Sequence, residues 1–223
     1  MLSLPTPLAT RVWPRLAGIA DLGSRLAFGV FLVVLPFWRH RVLWHRPPEA
    51  IFFEFHDIVL YTTDYLWLPA VAGWLASRAL LRPATPLRAG PWFLFVPLAG
   101  FPLLALAGAP LAVDPAYALY QALRLGLCLL LYLMLVNRPP APAAVAWPVA
   151  AGVVLQAAVA LPQFLLGRSL GLYRLGELHL HPAWGNVSVI ATAAGPRLRA
   201  YGLTQHPNLL AGLLMAALLL LAG

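Results

Sequence analysis

Six long apolar segments dominate the sequence and limit what the chain can fold into. A helix of about 20 apolar residues crosses the hydrocarbon core of a bilayer, because its backbone groups are hydrogen-bonded internally. Only 10% of the residues are charged, which is too few for a soluble domain of this length. We therefore predict an all-α, polytopic transmembrane helix bundle that forms a single membrane domain over residues 1–223. The predicted spans are about residues 17–38, 58–80, 91–112, 117–137, 143–166 and 208–223.

The connectors between these segments alternate in length and set the predicted topology. Residues 81–90 and 138–142 are short, whereas residues 39–57 and 167–207 are longer and face the opposite side. The arginines of the connectors divide equally between the two sides, so the positive-inside rule does not decide the orientation. The short basic connectors favour cytoplasmic termini, which places the loop 167–207 outside. The arginines lie singly or in pairs beside apolar runs, as at a membrane surface, and no nucleic-acid partner is predicted.

The loop 167–207 is about forty residues long, and loops of this length in compact proteins are usually functional or disordered. Its many leucine, tryptophan, tyrosine and valine residues favour an ordered loop that packs against the membrane domain. Four arginines in it carry guanidinium groups that match phosphate oxygens. The alternative is that they contact the headgroups of membrane lipids. The four are Arg168, Arg174, Arg197 and Arg199.

The end of this loop has the pattern of a helix start beside an anion site. Pro207 suits the first turn of a helix, and His206 or the residue before it would cap that helix. A helix N-terminus favours an anion nearby, and Asn208 lies in its first turn. Gly202 would allow the backbone to turn or a ligand to approach closely. With Arg199 these residues predict a phosphate cradle; the alternative is an ordinary helix cap beside a solvated arginine.

Polar residues inside the predicted spans and the loop have weaker interpretations. For Gln156 and Gln163, seven residues apart, we expect hydrogen bonds to another helix. Arg124 lies about two turns inside the fourth segment, from which it could reach the membrane surface. Glu177 with His179 and the histidine two residues later could hold a metal on a strand, but such spacing in a loop is usually incidental. We predict neither a metal nor a cofactor.

Two stretches together resemble a known family. QAAVALPQFLLGRSLGLYRLGE (156–177), followed by RLRAYGLTQHPNLLAGLL (197–214), is similar to the O-antigen ligase and O-antigen polymerase family of bacterial membrane glycosyltransferases. The shared pattern is Gln-Phe-x-x-Gly-x-Ser-x-Gly, then Arg-x-x-Gly with His-Pro-Asn opening the next helix. The resemblance covers nearly the whole chain but only the N-terminal half of the family. Family members are considerably longer and carry a second large extracytoplasmic loop with an essential histidine.

The resemblance implies a multi-pass protein of the bacterial inner membrane that acts in cell-surface polysaccharide synthesis. It implies metal-independent transfer of a glycan from a polyprenyl-diphosphate carrier to a lipid or glycan acceptor. A partner chain could supply the missing half. The alternative is a truncated, non-catalytic membrane protein that binds polyprenyl phosphate or anionic lipid. The residues expected to bind the diphosphate are Arg199, Arg197, Gly202, His206 and Asn208, with Arg168, Arg174, Glu177 and Arg124 as secondary candidates.

Overall fold

The computed structural model describes residues 9–44, 57–81, 86–193 and 195–222, with side chains from residue 12 onward. This part of the chain is mostly helical, as predicted, and each predicted apolar segment contains an α-helix. The span predicted over 58–80 is wrong at its start, because Ile58–Tyr61 forms a strand and the helix begins only at Asp64. Parts of the connectors 39–57 and 81–90, including Arg46 and Arg82, lie outside the described residues. The helices are α1 (Ala9–Val34), α2 (Asp64–Leu81), α3 (Trp92–Gly108), α4 (Pro115–Asn137), α5 (Pro142–Leu166) and α6 (Pro207–Ala222).

Four of these helices are long and apolar enough to cross a membrane. They cover Val12–Val34 of α1, Trp92–Leu111 of α3 with the short helical turn after it, and all of α4 and α5. The chain is therefore a membrane protein with several transmembrane helices. α2 is short and carries Asp64 and Arg78, and α6 has 16 residues. These two helices are not in the set of four, so crossing by α2 and α6 stays a prediction.

Local sequence explains where several helices begin and end. The Asp114 side chain accepts a hydrogen bond from the backbone N–H of Tyr117 at 3.0 Å, and Pro115 occupies the first helical position of α4. α5 also begins with a proline, and it ends at Leu166, just before Gly167, which adopts a left-handed conformation with φ of 64°. Left-handed backbone after a helix favours glycine. The loop after α5 therefore starts with a sharp change of direction.

Besides the helices, the described residues contain two small two-stranded sheets. β1 (His40–Trp44) pairs with β2 (Ile58–Tyr61) in a two-stranded sheet. β3 (Val189–Thr192) and β4 (Gly195–Leu198) form a second, antiparallel sheet, in which Val189 pairs with Leu198 and Ile190 with Arg197. The second sheet lies within the long loop, so the loop contains regular structure of its own.

The chain divides into two compact units, of which the first comprises residues 1–28, 42–60 and 66–140. Within it, α1 and α2 approach closely at Gly73, where a Cβ would lie 2.8 Å from the Ala20 carbonyl oxygen. The buried Ser24 hydroxyl donates to the Ala70 carbonyl at 2.5 Å. Arg138 donates to Ser24 at 2.6 Å and to Asp21. This polar network ties α1, α2 and the end of α4 together.

The second unit comprises residues 29–41, 61–65 and 141–223. In it, the last turns of α1 pack on α5 at Gly152, where a Cβ would lie 2.9 Å from the Val33 carbonyl oxygen. The Trp38 N–H donates to the Leu203 carbonyl at 2.8 Å. The segment after α1 is therefore hydrogen-bonded to the long loop just before α6. The second unit also contains the residues of the predicted phosphate site.

Candidate functional site

The hairpin formed by β3 and β4 presents two of the predicted arginines. Arg197 and Arg199 are two residues apart on extended backbone, so their side chains leave the same face of the hairpin. Between them, Leu198 is fully buried and packs in a cluster with Leu180 and Tyr201. Leu198 therefore anchors the hairpin, and we call the opposite face, which carries Arg197 and Arg199, its basic face.

Part of the Arg197 side chain contacts the end of α5. Its Nε–H donates to the Phe164 carbonyl at 3.2 Å, and its guanidinium lies 4.3 Å from the centroid of the Phe164 ring. The last carbonyls of a helix have no partner within the helix, so a side chain that donates to one stabilises the helix end. Arg197 therefore connects the hairpin to α5, and only its remaining N–H groups could serve a ligand.

Arg199 is held by its backbone and exposed at its side chain. Its N–H donates to the Ser188 carbonyl at 3.1 Å, which continues the strand pairing by one residue. Its Nη1 lies 3.5 Å from the Ser188 hydroxyl, at the outer limit of a hydrogen bond. The guanidinium is thus carried on ordered backbone, and its donors have no other partner among the described residues.

Two buried glutamines of α5 hold the segment that follows Arg199. We call Gln156, Gln163 and the backbone of residues 201–203 the glutamine clamp; both glutamine side chains are fully buried. The Gln163 Oε1 accepts from the N–H groups of Tyr201 at 3.2 Å and Gly202 at 2.8 Å, and its Nε2 donates to the Gly202 carbonyl at 3.0 Å. The Gln156 Oε1 accepts from Leu203 N–H at 2.8 Å.

The glutamine clamp differs from the expected helix–helix hydrogen bonds. The partners are backbone groups of a buried loop segment that is neither helix nor strand. Such groups need hydrogen bonds as much as those of regular structure do, because leaving them unpaired in the interior is costly. The glutamines therefore take the place that a neighbouring strand would have in a sheet.

Gly202 lies inside the glutamine clamp. Its φ is 60°, and a Cβ there would lie 2.2 Å from the Gln156 Oε1. Its N–H and carbonyl are both bonded to Gln163. Glycine at this position therefore allows the backbone to approach α5 closely, rather than a ligand. No backbone group of Gly202 is left to bind a phosphate.

Glu177 is buried and organises the turn after α5. Its carboxylate accepts from the N–H groups of Leu170 and Leu172, each at 2.6 Å, and from Gln163 Nε2 at 2.8 Å. His179 stacks instead on Tyr173, with ring centroids 3.6 Å apart. Within the described ranges, no three histidine, cysteine or acidic residues are grouped to hold a metal.

The predicted helix start is confirmed at α6, which begins at Pro207. The His206 Nδ1 accepts from the Asn208 N–H at 3.2 Å, and the ring lies edge-on to Tyr201 at 6.1 Å. The hydroxyl of Thr204 donates to carbonyls of Tyr201 and His206 at 2.7 and 3.0 Å. His206 therefore caps the helix, and the Asn208 side chain is exposed in its first turn.

The cap predicts the effect of changing His206. His206→Ala should weaken the first turn of α6 by about 1 kcal/mol or less, whereas His206→Asn should preserve it, because asparagine is a good capping residue. Amide hydrogen exchange of residues 208–210 measures this difference. Equal exchange in the alanine variant and the wild type would show that the imidazole does not cap the helix.

The secondary candidates are dispersed. Arg174 is exposed, and its carbonyl accepts a hydrogen bond from the Arg39 guanidinium. Arg168 is exposed at the end of α5. Arg124 belongs to α4 in the first unit, where it donates to the Tyr120 hydroxyl at 2.9 Å and lies 5.5 Å from that ring. The loop arginines thus share the second unit, and Arg124 does not belong to it.

The sequence interpretation missed the part that the segment after α1 plays in this unit. Trp38, His40 and Tyr61 form a three-ring cluster with centroids 5.4 to 5.9 Å apart. At Gly176, with φ of 100°, a Cβ would lie 3.1 Å from the Trp38 carbonyl oxygen. The signal was the concentration of aromatic residues at both ends of the first long connector, but nothing in the sequence linked it to the loop after α5.

Comparison with known proteins identifies no relative: no family model, no curated protein and no solved structure matches the chain.

Proposed function

We propose that the chain binds the diphosphate of a polyprenyl-linked glycan through the basic face of its hairpin. In this proposal it is an O-antigen ligase-like or polymerase-like glycosyltransferase of the bacterial inner membrane, in which the glycan passes to a lipid or glycan acceptor. The observation that carries the proposal is Arg199, an exposed guanidinium on a backbone fixed by β-pairing and, three residues later, by the glutamine clamp.

The chemistry of the transfer explains why such a group is useful. When an acceptor hydroxyl attacks the anomeric carbon, the bond between that carbon and the phosphate oxygen breaks and its electrons remain on the diphosphate. A cation already in place stabilises this developing charge without reorganisation. Arginine suits the task because its planar donors match two phosphate oxygens at once. The start of α6 at Pro207 adds further partial positive charge to the same segment.

The proposal places the loop 167–207 on the outer side of the membrane. Thr192, exposed at the turn of the hairpin, is a suitable reporter once the exposed Cys128 of α4 has been replaced by serine. A cysteine at position 192 should react with a membrane-impermeant maleimide in cells whose inner membrane is intact. Reaction only after the inner membrane is permeabilised would contradict the outer placement.

A series of ligands with one prenyl chain tests the function itself. Purified protein in a bilayer should bind the prenyl diphosphate at least about tenfold more tightly than the monophosphate, since one further good charged hydrogen bond contributes about that much. The corresponding prenyl alcohol should partition into the bilayer and show no binding to the protein itself. Equal affinities for diphosphate and monophosphate would refute a diphosphate site and favour the alternative of a general phosphate or headgroup contact.

A further inference from the structure

A separate pocket lies at the end of α5. It has a volume of about 320 Å³ and is lined by Leu166, Arg168, Ser169, Leu170, Gly171 and Tyr173. This volume is at the lower end of the range of small-molecule sites, about 300–1,000 Å³. The helix Pro142–Leu166 is one of the four that can cross a membrane, so the pocket begins where that helix ends.

The polar groups that line the pocket are mostly engaged already. The Ser169 hydroxyl bonds to the backbone at Leu178 and Leu180, and the Leu170 N–H donates to the buried Glu177. Two groups are not engaged in the described part of the chain: the Tyr173 hydroxyl has no hydrogen-bond partner, and the Arg168 guanidinium contacts no hydrogen-bonding, charged or aromatic partner. The pocket therefore offers one strong, free cationic group and few other donors.

This pattern favours a single anionic group over a polyhydroxylated sugar. A sugar needs several free donors and acceptors, whereas a phosphate is well matched by one guanidinium. Apolar side chains adjoin the same end of the helix: Leu161, Leu165 and Leu166 are 61%, 69% and 58% exposed. An occupant with an anionic head and an apolar chain satisfies both surfaces, because the chain can lie along α5 in the bilayer.

We propose that this pocket binds the phosphate headgroup of an anionic membrane phospholipid, with Arg168 as its principal contact. The turn that carries Arg168 is fixed in advance by Glu177, through the N–H groups of Leu170 and Leu172. The site is distinct from the hairpin residue Arg199, and it does not depend on the glycosyltransferase proposal.

Native mass spectrometry of the full chain, released from bilayers that contain phosphatidylglycerol in phosphatidylcholine, tests this proposal. We expect the wild type to retain phosphatidylglycerol and Arg168→Gln to bind it about tenfold less tightly, as for loss of one charged hydrogen bond. Arg88→Gln removes an exposed arginine from the connector before α3 and is the matched control, expected to stay within about twofold of the wild type.

Two further measurements distinguish a lipid site at Arg168 from a site for soluble phosphate and from a lipid site at the hairpin. Soluble glycerol phosphate, which lacks acyl chains, should compete poorly; competition as strong as that of the lipid would overturn the proposal of a lipid site. Arg199→Ala should retain phosphatidylglycerol, and an equal loss in that variant would place the lipid at the hairpin instead. Undiminished retention by Arg168→Gln would also refute the proposal. The outcome is independent of whether the prenyl diphosphate binds.

Discussion

Gln163→Leu should open the segment before α6 and cause the largest loss of local stability that the structure predicts. The substitution removes both acceptor and donor functions from a fully buried side chain. Backbone groups of Tyr201 and Gly202, and the carboxylate of Glu177, lose a hydrogen bond. Three backbone groups are left without a partner, and each costs about 1–3 kcal/mol, so the sum should be at least about 3 kcal/mol.

Amide hydrogen exchange of residues 200–205 in a bilayer measures this loss directly. A decrease of 3 kcal/mol in the free energy of opening corresponds to exchange about 100-fold faster. Gln121→Leu is the matched control, because Gln121 is half-buried on α4 and donates to the Tyr117 hydroxyl at 2.5 Å. It should leave exchange at 200–205 unchanged. Unchanged exchange in Gln163→Leu as well would show that the glutamine clamp does not hold this segment.

The helices could be predicted from the sequence because their causes are local. Runs of apolar residues, prolines at the first positions of α4 and α5, and His206-Pro207 before α6 all act within a few residues. The boundaries were less accurate where no such signal was present. α1, predicted from residue 17, begins at Ala9 and ends at Val34.

The candidate site could be predicted only in part. The loop arginines and the helix start were visible in the sequence, and both belong to the second unit. The backbone partners of Gln156 and Gln163 were not, because they lie more than 35 residues away in the chain. Backbone partners leave no residue-type signal in a sequence. The same reason hid the contact between Trp38 and Leu203.

Glu177 illustrates how burial changes an interpretation. In the sequence it stood beside two histidines as a weak metal pattern. In the structure its carboxylate is buried and accepts three hydrogen bonds, from two backbone N–H groups and from Gln163. The role of Glu177 is therefore set by the turn between residues 169 and 177, from whose N–H groups it accepts hydrogen bonds, and not by its spacing from the histidines.

Arg199→Ala should weaken binding of a prenyl diphosphate by about 1.5–3 kcal/mol, the usual contribution of a hydrogen bond to a charged group. The side chain is exposed, so its removal should leave the fold of the hairpin unchanged. Arg199→Lys should restore only part of the affinity, since an ammonium group retains the charge but loses the planar pair of donors. Arg88→Ala should change nothing, which controls for the loss of one positive charge.

The dissociation constant of a prenyl diphosphate, measured for these four proteins in one bilayer composition and at one salt concentration, tests the account most directly. We predict that Arg199→Ala binds about 10- to 150-fold more weakly than the wild type. Arg199→Lys should lie between them, and Arg88→Ala should equal the wild type. Equal dissociation constants for the wild type and Arg199→Ala would contradict the proposed diphosphate site and leave Arg199 as a contact of lipid headgroups.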